Sequence, residues 1–151
     1  MKLLIIVALA ALTRVATAEG ASFRGFGFHN SEIYDFVVEP GNPANRWNSQ
    51  AKPLPLSSDK AASIATRFMK TIPVDKGWKW NLTNVTLHQI AKDPEEWIFV
   101  INFIVGPTDP KGGMGGFGTG IPRFDVVVQL DGKIPTPKVE RFGTNAKKSG
   151  P

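Results

Sequence analysis

The residues with the most suggestive spacing are glycines. Gly113 to Gly118 reads GMGGFG, which fits the G-x-G-x-x-G pattern of a dinucleotide phosphate cradle. That pattern works only when a strand feeds it and a helix N-terminus stands behind the phosphate. Here the apolar run ending at Val105 is followed by Gly106-Pro107-Thr108-Asp109-Pro110-Lys111, too long for the tight turn. After the glycines come Thr119-Gly120-Ile121-Pro122 and β-branched residues, which start no helix. Gly-Lys-Ser/Thr is missing as well, so the stretch reads as a long hairpin loop rather than a nucleotide site. A loop of this length that carries Met114 and Phe117 among glycines is a candidate contact surface.

Other chemistry is sparse. The histidines are His29 and His88. His29, Glu32 and Asp35 are spaced by three, but the segment is β-branched and aromatic, and strand spacing sends such side chains to opposite faces. No metal site and no cofactor are therefore predicted. There is no G-x-S-x-G elbow to accompany a histidine triad and no EF-hand loop. The acids Asp93, Glu95 and Glu96 cluster at a turn, where solvation accounts for them. An enzyme would need a cleft with perturbed acids around His88 or Asp125. The chain is read as non-enzymatic. Trp78 and Trp80 flank Lys79 in GWKWN, where their rings either cover the rim of the core or form a stacking platform. Met114, Phe117, Trp78 and Trp80 are the four candidate partner contacts. Asn81-Leu82-Thr83 and Asn84-Val85-Thr86 match the N-glycosylation pattern. An offset of three along a strand is expected to point them to opposite faces.

Composition narrows the class. The chain has 151 residues, no cysteine and a net charge of +5. Without cysteine there are no disulfides, thiol nucleophiles or Cys-based metal centres. Lys2, the apolar run Leu3 to Leu12 and Ala16-Thr17-Ala18 have the anatomy of a secretory signal peptide over residues 1–18. Its apolar run is too short to span a bilayer. Cleavage would leave 133 residues with 16 Lys and Arg against 13 Asp and Glu, a net charge of +3. That mild excess is not the basic face of a nucleic-acid binder. The expected location is periplasmic or extracellular, with an unknown protein or envelope partner and no membrane span after cleavage.

The elements that must position these residues are legible in outline. Residues 19–30, EGASFRGFGFHN, read as a frayed lead-in. Residues 31–39, SEIYDFVVE, read as a first strand ended by Pro40-Gly41-Asn42-Pro43. An extended connection through Lys52-Pro53-Leu54-Pro55-Leu56 follows. Ser57 or Ser58 caps a helix in which Ala61, Ile64, Ala65, Phe68, Met69 and Ile72 share a face and Pro73 ends the run. Strands are predicted over 82–90, 96–105 and 123–130. The 96–105 strand is apolar on both faces apart from Asn102, so it belongs at the sheet's centre. Residues 134–140, with two prolines, make an edge, and 143–151 a loose tail. The domain plan is a leader 1–18, a strand and linker 19–56, an α+β domain 57–142 and a tail. The predicted fold is α+β, one amphipathic helix packed on an antiparallel meander sheet of three to five strands.

DKAASIATRFM, WIFVINFIV and FDVVVQLDGKI together resemble the PepSY-type exported domain, over about residues 57–134. The wider chain resembles small exported bacterial proteins of PepSY-like or cystatin-like fold. The resemblance implies an inhibitory or binding module. The Q-x-V-x-G loop of cystatin protease inhibitors is missing at Gln50, Gln89 and Gln129, and the long glycine loop departs from the compact PepSY hairpin. The alternatives are a structural envelope component that self-associates through a sheet edge and an enzyme of unrecognised type.

Overall fold

The computed structural model describes residues 21–27, 32–50, 52–90, 94–109 and 122–141. It is an α+β fold of one helix on an antiparallel sheet. The strands are β1 (Ala21–Phe26), β2 (Glu32–Val38), β3 (Trp78–Gln89), β4 (Trp97–Pro107), β5 (Arg123–Gln129) and β6 (Lys138–Arg141). They lie in the order β3-β4-β5-β1-β2-β6, six strands rather than three to five.

The helix α1 spans Ser58–Met69. Ser57 accepts the Lys60 N–H at its start, which satisfies one orphan donor, and Asp59 sits in the positive first turn. Ala61, Ala65 and Met69 are buried, and Ile72 beyond the helix is too. The small Ala61 and Ala65 let the helix approach the sheet closely. Ile64 and Phe68 flank this stripe and are half-buried. The Phe68 ring lies 5.9 Å from that of Phe36 and 6.3 Å from that of Phe124. Because part of the ring stays wet, Phe68→Ala is expected to cost about 2 kcal/mol, below the range for a fully buried ring. Urea denaturation measures this; an unchanged midpoint would misplace the helix face.

The predicted meander is β3-β4-β5, and β4 is an interior strand, though it lies next to the β3 edge rather than at the centre of the six. Phe99, Ile101, Phe103 and Val105 are buried on one face, Ile98 and Val100 on the other. The hairpin β3–β4 pairs from Trp78↔Pro107 to Gln89↔Trp97, with one register shift between Leu82 and Asn84. Strand β3 starts four residues before the predicted position, so GWKWN belongs to the strand itself rather than to its approach.

The largest correction is at the N-terminal side. Residues 21–26, read as part of a frayed lead-in, form β1 between β5 and β2. Ser22 and Arg24 are exposed while Gly25 and Gly27 are buried. The apolar alternation was hidden because the inward position 25 is glycine. A Cβ there would overlap the Phe124 ring, so glycine admits that ring. Phe23 meets His88 edge-on at 5.5 Å. A flat sheet would hold β1 and β3 about 14 Å apart, so the sheet bends to bring them together.

The chain after β2 is anchored to the start of β4. Pro43–Asn45 forms a 3-10 turn, Arg46 bridges Glu96, and the Trp47 N–H reaches the Glu95 carbonyl at 2.8 Å. Glu96 is only 2 % exposed, and its Oε1 accepts the Gly41 N–H. Solvation therefore does not account for this acid: it is a buried tie between two segments far apart in sequence. At the other edge, β6 pairs with β2 rather than with β5.

Candidate functional site

Trp80 is the sequence-selected residue that the fold places in a hollow. Between the C-terminal half of α1 and the start of β3 lies a cavity of about 270 Å³. Met69, Ile72, Val74, Trp80 and Phe103 give it apolar walls, and Lys70 and Lys79 stand at its rim. The Trp80 ring packs against Phe124 at 5.6 Å. Its indole Nε1–H is buried and has no hydrogen-bond partner among the described residues. A second hollow of about 360 Å³ continues along the helix, lined by Ala62, Ser63, Thr66, Arg67, Lys70 and Leu82. The two share Thr66 and Lys70, so they form one groove between α1 and β3.

The electrostatics of this groove have one sign. Arg67, Lys70 and Lys79 line it and no Asp or Glu does. None of the three forms a salt bridge among the described residues. Leu82 is 45 % exposed; with Val139 it is one of two large apolar side chains left open among the described residues. An apolar floor under an all-cationic rim suits a ligand with an apolar body and negative charge.

Trp78 lies on the same strand and is half-buried, but it does not line the groove. Met114 and Phe117 lie outside the described residues, as does His29. His88 is exposed on β3, and neither it nor Asp125 lines the groove. Among the described residues no group of three or more His, Cys, Asp or Glu is placed to hold a metal ion, and no helix is long and apolar enough to cross a membrane.

The most strongly shifted acid is elsewhere. Tyr34 donates to Glu32 Oε2 at 2.7 Å, while Arg141 Nε donates to Oε1 at 2.8 Å. Burial, reinforced by the bond to Glu32 and its charge, pushes the Tyr34 phenol up to about 12. The folded state thus holds the proton that an unfolded chain releases near pH 10. Its contribution to stability is intact below pH 10 and is lost as the pH rises from about 10 to about 12. Tyr34 is the chain's single tyrosine, so ultraviolet titration of the phenolate reads it alone. A midpoint near 12 is expected, and one near 10 would place the ring in water.

A row of polar side chains escaped the sequence reading. Asn84, Asn102 and Asp125 stand in register across β3, β4 and β5. Asn102 Nδ2 donates to Asp125 Oδ1 at 2.7 Å, which explains the one polar residue in an apolar strand. A bulge between Leu82 and Asn84 shifts the register of β3. Asn81 therefore pairs with Ile104 and Asn84 with Asn102, two positions that share a face. The two asparagines point the same way, contrary to the expectation from an unbroken strand. Asn81 leans over Gly106, where a Cβ would lie 2.7 Å from its Nδ2.

No protein-family model matches the chain, and no curated protein or solved structure shows significant similarity to it.

Proposed function

We propose that this protein is an exported, non-enzymatic binding or regulatory module whose contact surface is the groove between α1 and β3. The observation that carries this reading is the pairing of an apolar floor, Trp80, Phe103, Met69 and Ile72, with a rim of Arg67, Lys70 and Lys79 that has no acidic lining residue. The helix α1 and the strand β4, which both line the groove, hold two of the three segments that resemble PepSY-type domains, and that resemblance also favours a binding role. The leader-like composition of residues 1–18 is what supports export in this reading.

An anionic naphthalene dye tests the groove, because it carries one apolar body and one negative charge. It is expected to bind at one site per chain, with fluorescence excited through tryptophan. Arg67→Glu combined with Lys70→Glu should weaken it about tenfold, since two rim contacts of up to 1 kcal/mol each are reversed. Near-ultraviolet circular dichroism checks that the variant keeps its packing. A dye affinity untouched by the double reversal would remove the groove from the account.

A further inference from the structure

We propose, resting on the groove reading above, that the ligand is a single-chain fatty acid, its carboxylate on Arg67 and Lys70 and its chain in the hollow beside Trp80. The two hollows of the groove differ in polarity. The one of about 270 Å³ is walled by Met69, Ile72, Val74 and Phe103 beside the Trp80 ring, with Thr66, Lys70 and Lys79 completing its lining. The one of about 360 Å³ has Ser63, Thr66, Arg67 and Lys70 among its six lining residues. Thr66 and Lys70 belong to both, so they mark the boundary. Polarity therefore runs along the groove, from an apolar end at Phe103 to a cationic end at Arg67. A ligand with its charge at one end and an alkyl chain at the other matches that gradient.

The head and the chain are each selected by chemistry. Ser63, Arg67 and Lys70 follow one another at spacings of four and three, so they line up as one stripe beside the groove. The planar Arg67 guanidinium donates to both oxygens of a carboxylate, and Lys70 adds a second positive charge. An alkyl chain has no hydrogen-bonding atoms to leave unpaired against Met69, Ile72, Val74 and Phe103. A peptide would bury backbone amides there without partners, which is costly. The hollow of about 270 Å³ lies just below the range of about 300–1,000 Å³ of ordinary ligand pockets. It suits one slender chain rather than the two of a diacyl lipid. The unbranched Met69 lets one wall adjust to the chain.

The test uses the full chain and sodium dodecanoate, kept below the concentration at which it forms micelles, and reads displacement of the naphthalene dye. Dodecanoate is expected to displace one dye per chain. From octanoate to dodecanoate, each added methylene should tighten binding about fourfold, the factor for burying one CH₂. Arg67→Glu with Lys70→Glu should weaken dodecanoate about tenfold. The same variant should admit dodecyltrimethylammonium, which is expected not to displace the dye from the unaltered protein. A nitroxide on the last carbon of the chain should broaden the signals of Met69, Ile72 and Val74 more than that of Ala62, because the chain's end lies in the apolar hollow. An affinity indifferent to chain length, broadening centred on Ala62, or binding of phosphatidylglycerol vesicles without binding of dodecanoate would each overturn the fatty acid. The dye separates the two levels. Dye bound in the groove and not displaced by dodecanoate defeats only this inference, whereas a dye that ignores the groove defeats both.

Discussion

Phe124→Ala is expected to lower stability by about 3–5 kcal/mol, the range for truncating a buried aromatic ring. Phe124 is fully buried. Its ring meets Tyr34 at 5.2 Å, Trp80 at 5.6 Å, and Phe36 and Phe68 at 6.3 Å. It therefore joins β2, β3 and the helix through one side chain on β5. Removing it leaves a cavity walled by rings from several elements, which cannot collapse together without moving the helix off the sheet. In a domain of this size the melting temperature should fall by roughly 10–20 °C. A fall of only a few degrees would show that the rings do not share this centre.

Gly25→Ala is the complementary experiment, adding one methyl where the fold has none to spare. The new Cβ would overlap the Phe124 ring, which is itself fully enclosed. Overpacking typically costs 1–3 kcal/mol, and about 3 kcal/mol is expected here because the obstructing atoms are ring carbons with no free space to turn into. Among the described residues β1 meets β5 in register only at Gly25↔Phe124, so the strain falls on the junction that ties the β1–β2 hairpin to the rest. Combining Gly25→Ala with Phe124→Ala should cost less than the two singly, because the truncated side chain leaves room for the added methyl. Additive losses would mean that the two residues are not in contact.

These two residues also show where the sequence was readable and where it was not. The helix was legible because its signals are local: the Ser57 cap, Asp59, the spacing from Ala61 to Met69, and Pro73. The strand β4 was legible because both its faces are apolar. β1 was missed because the residue that fixes its place, Gly25, has no side chain and takes its meaning from Phe124, about a hundred positions away. The burial of Glu96 depends in the same way on the Gly41 N–H, and the common facing of Asn81 and Asn84 on a bulge that no residue type announces. Trp80 was legible as a ring at the start of a strand. The groove around it was not, since its walls come from α1, β3 and β4, and its single-sign rim exists only once the helix lies beside β3.

The central claim is that this groove receives an anionic, apolar partner, and the Trp80 indole proton reports on it directly. Trp80 lines the groove, so its indole nuclear magnetic resonance signal answers to what enters there. On titration with the anionic naphthalene dye, the Trp80 indole signal and the amides of Lys70, Lys79 and Leu82 should move together with one binding constant. Shifts centred instead on exposed Val139 of β6, with the Trp80 signal unmoved, would contradict the account.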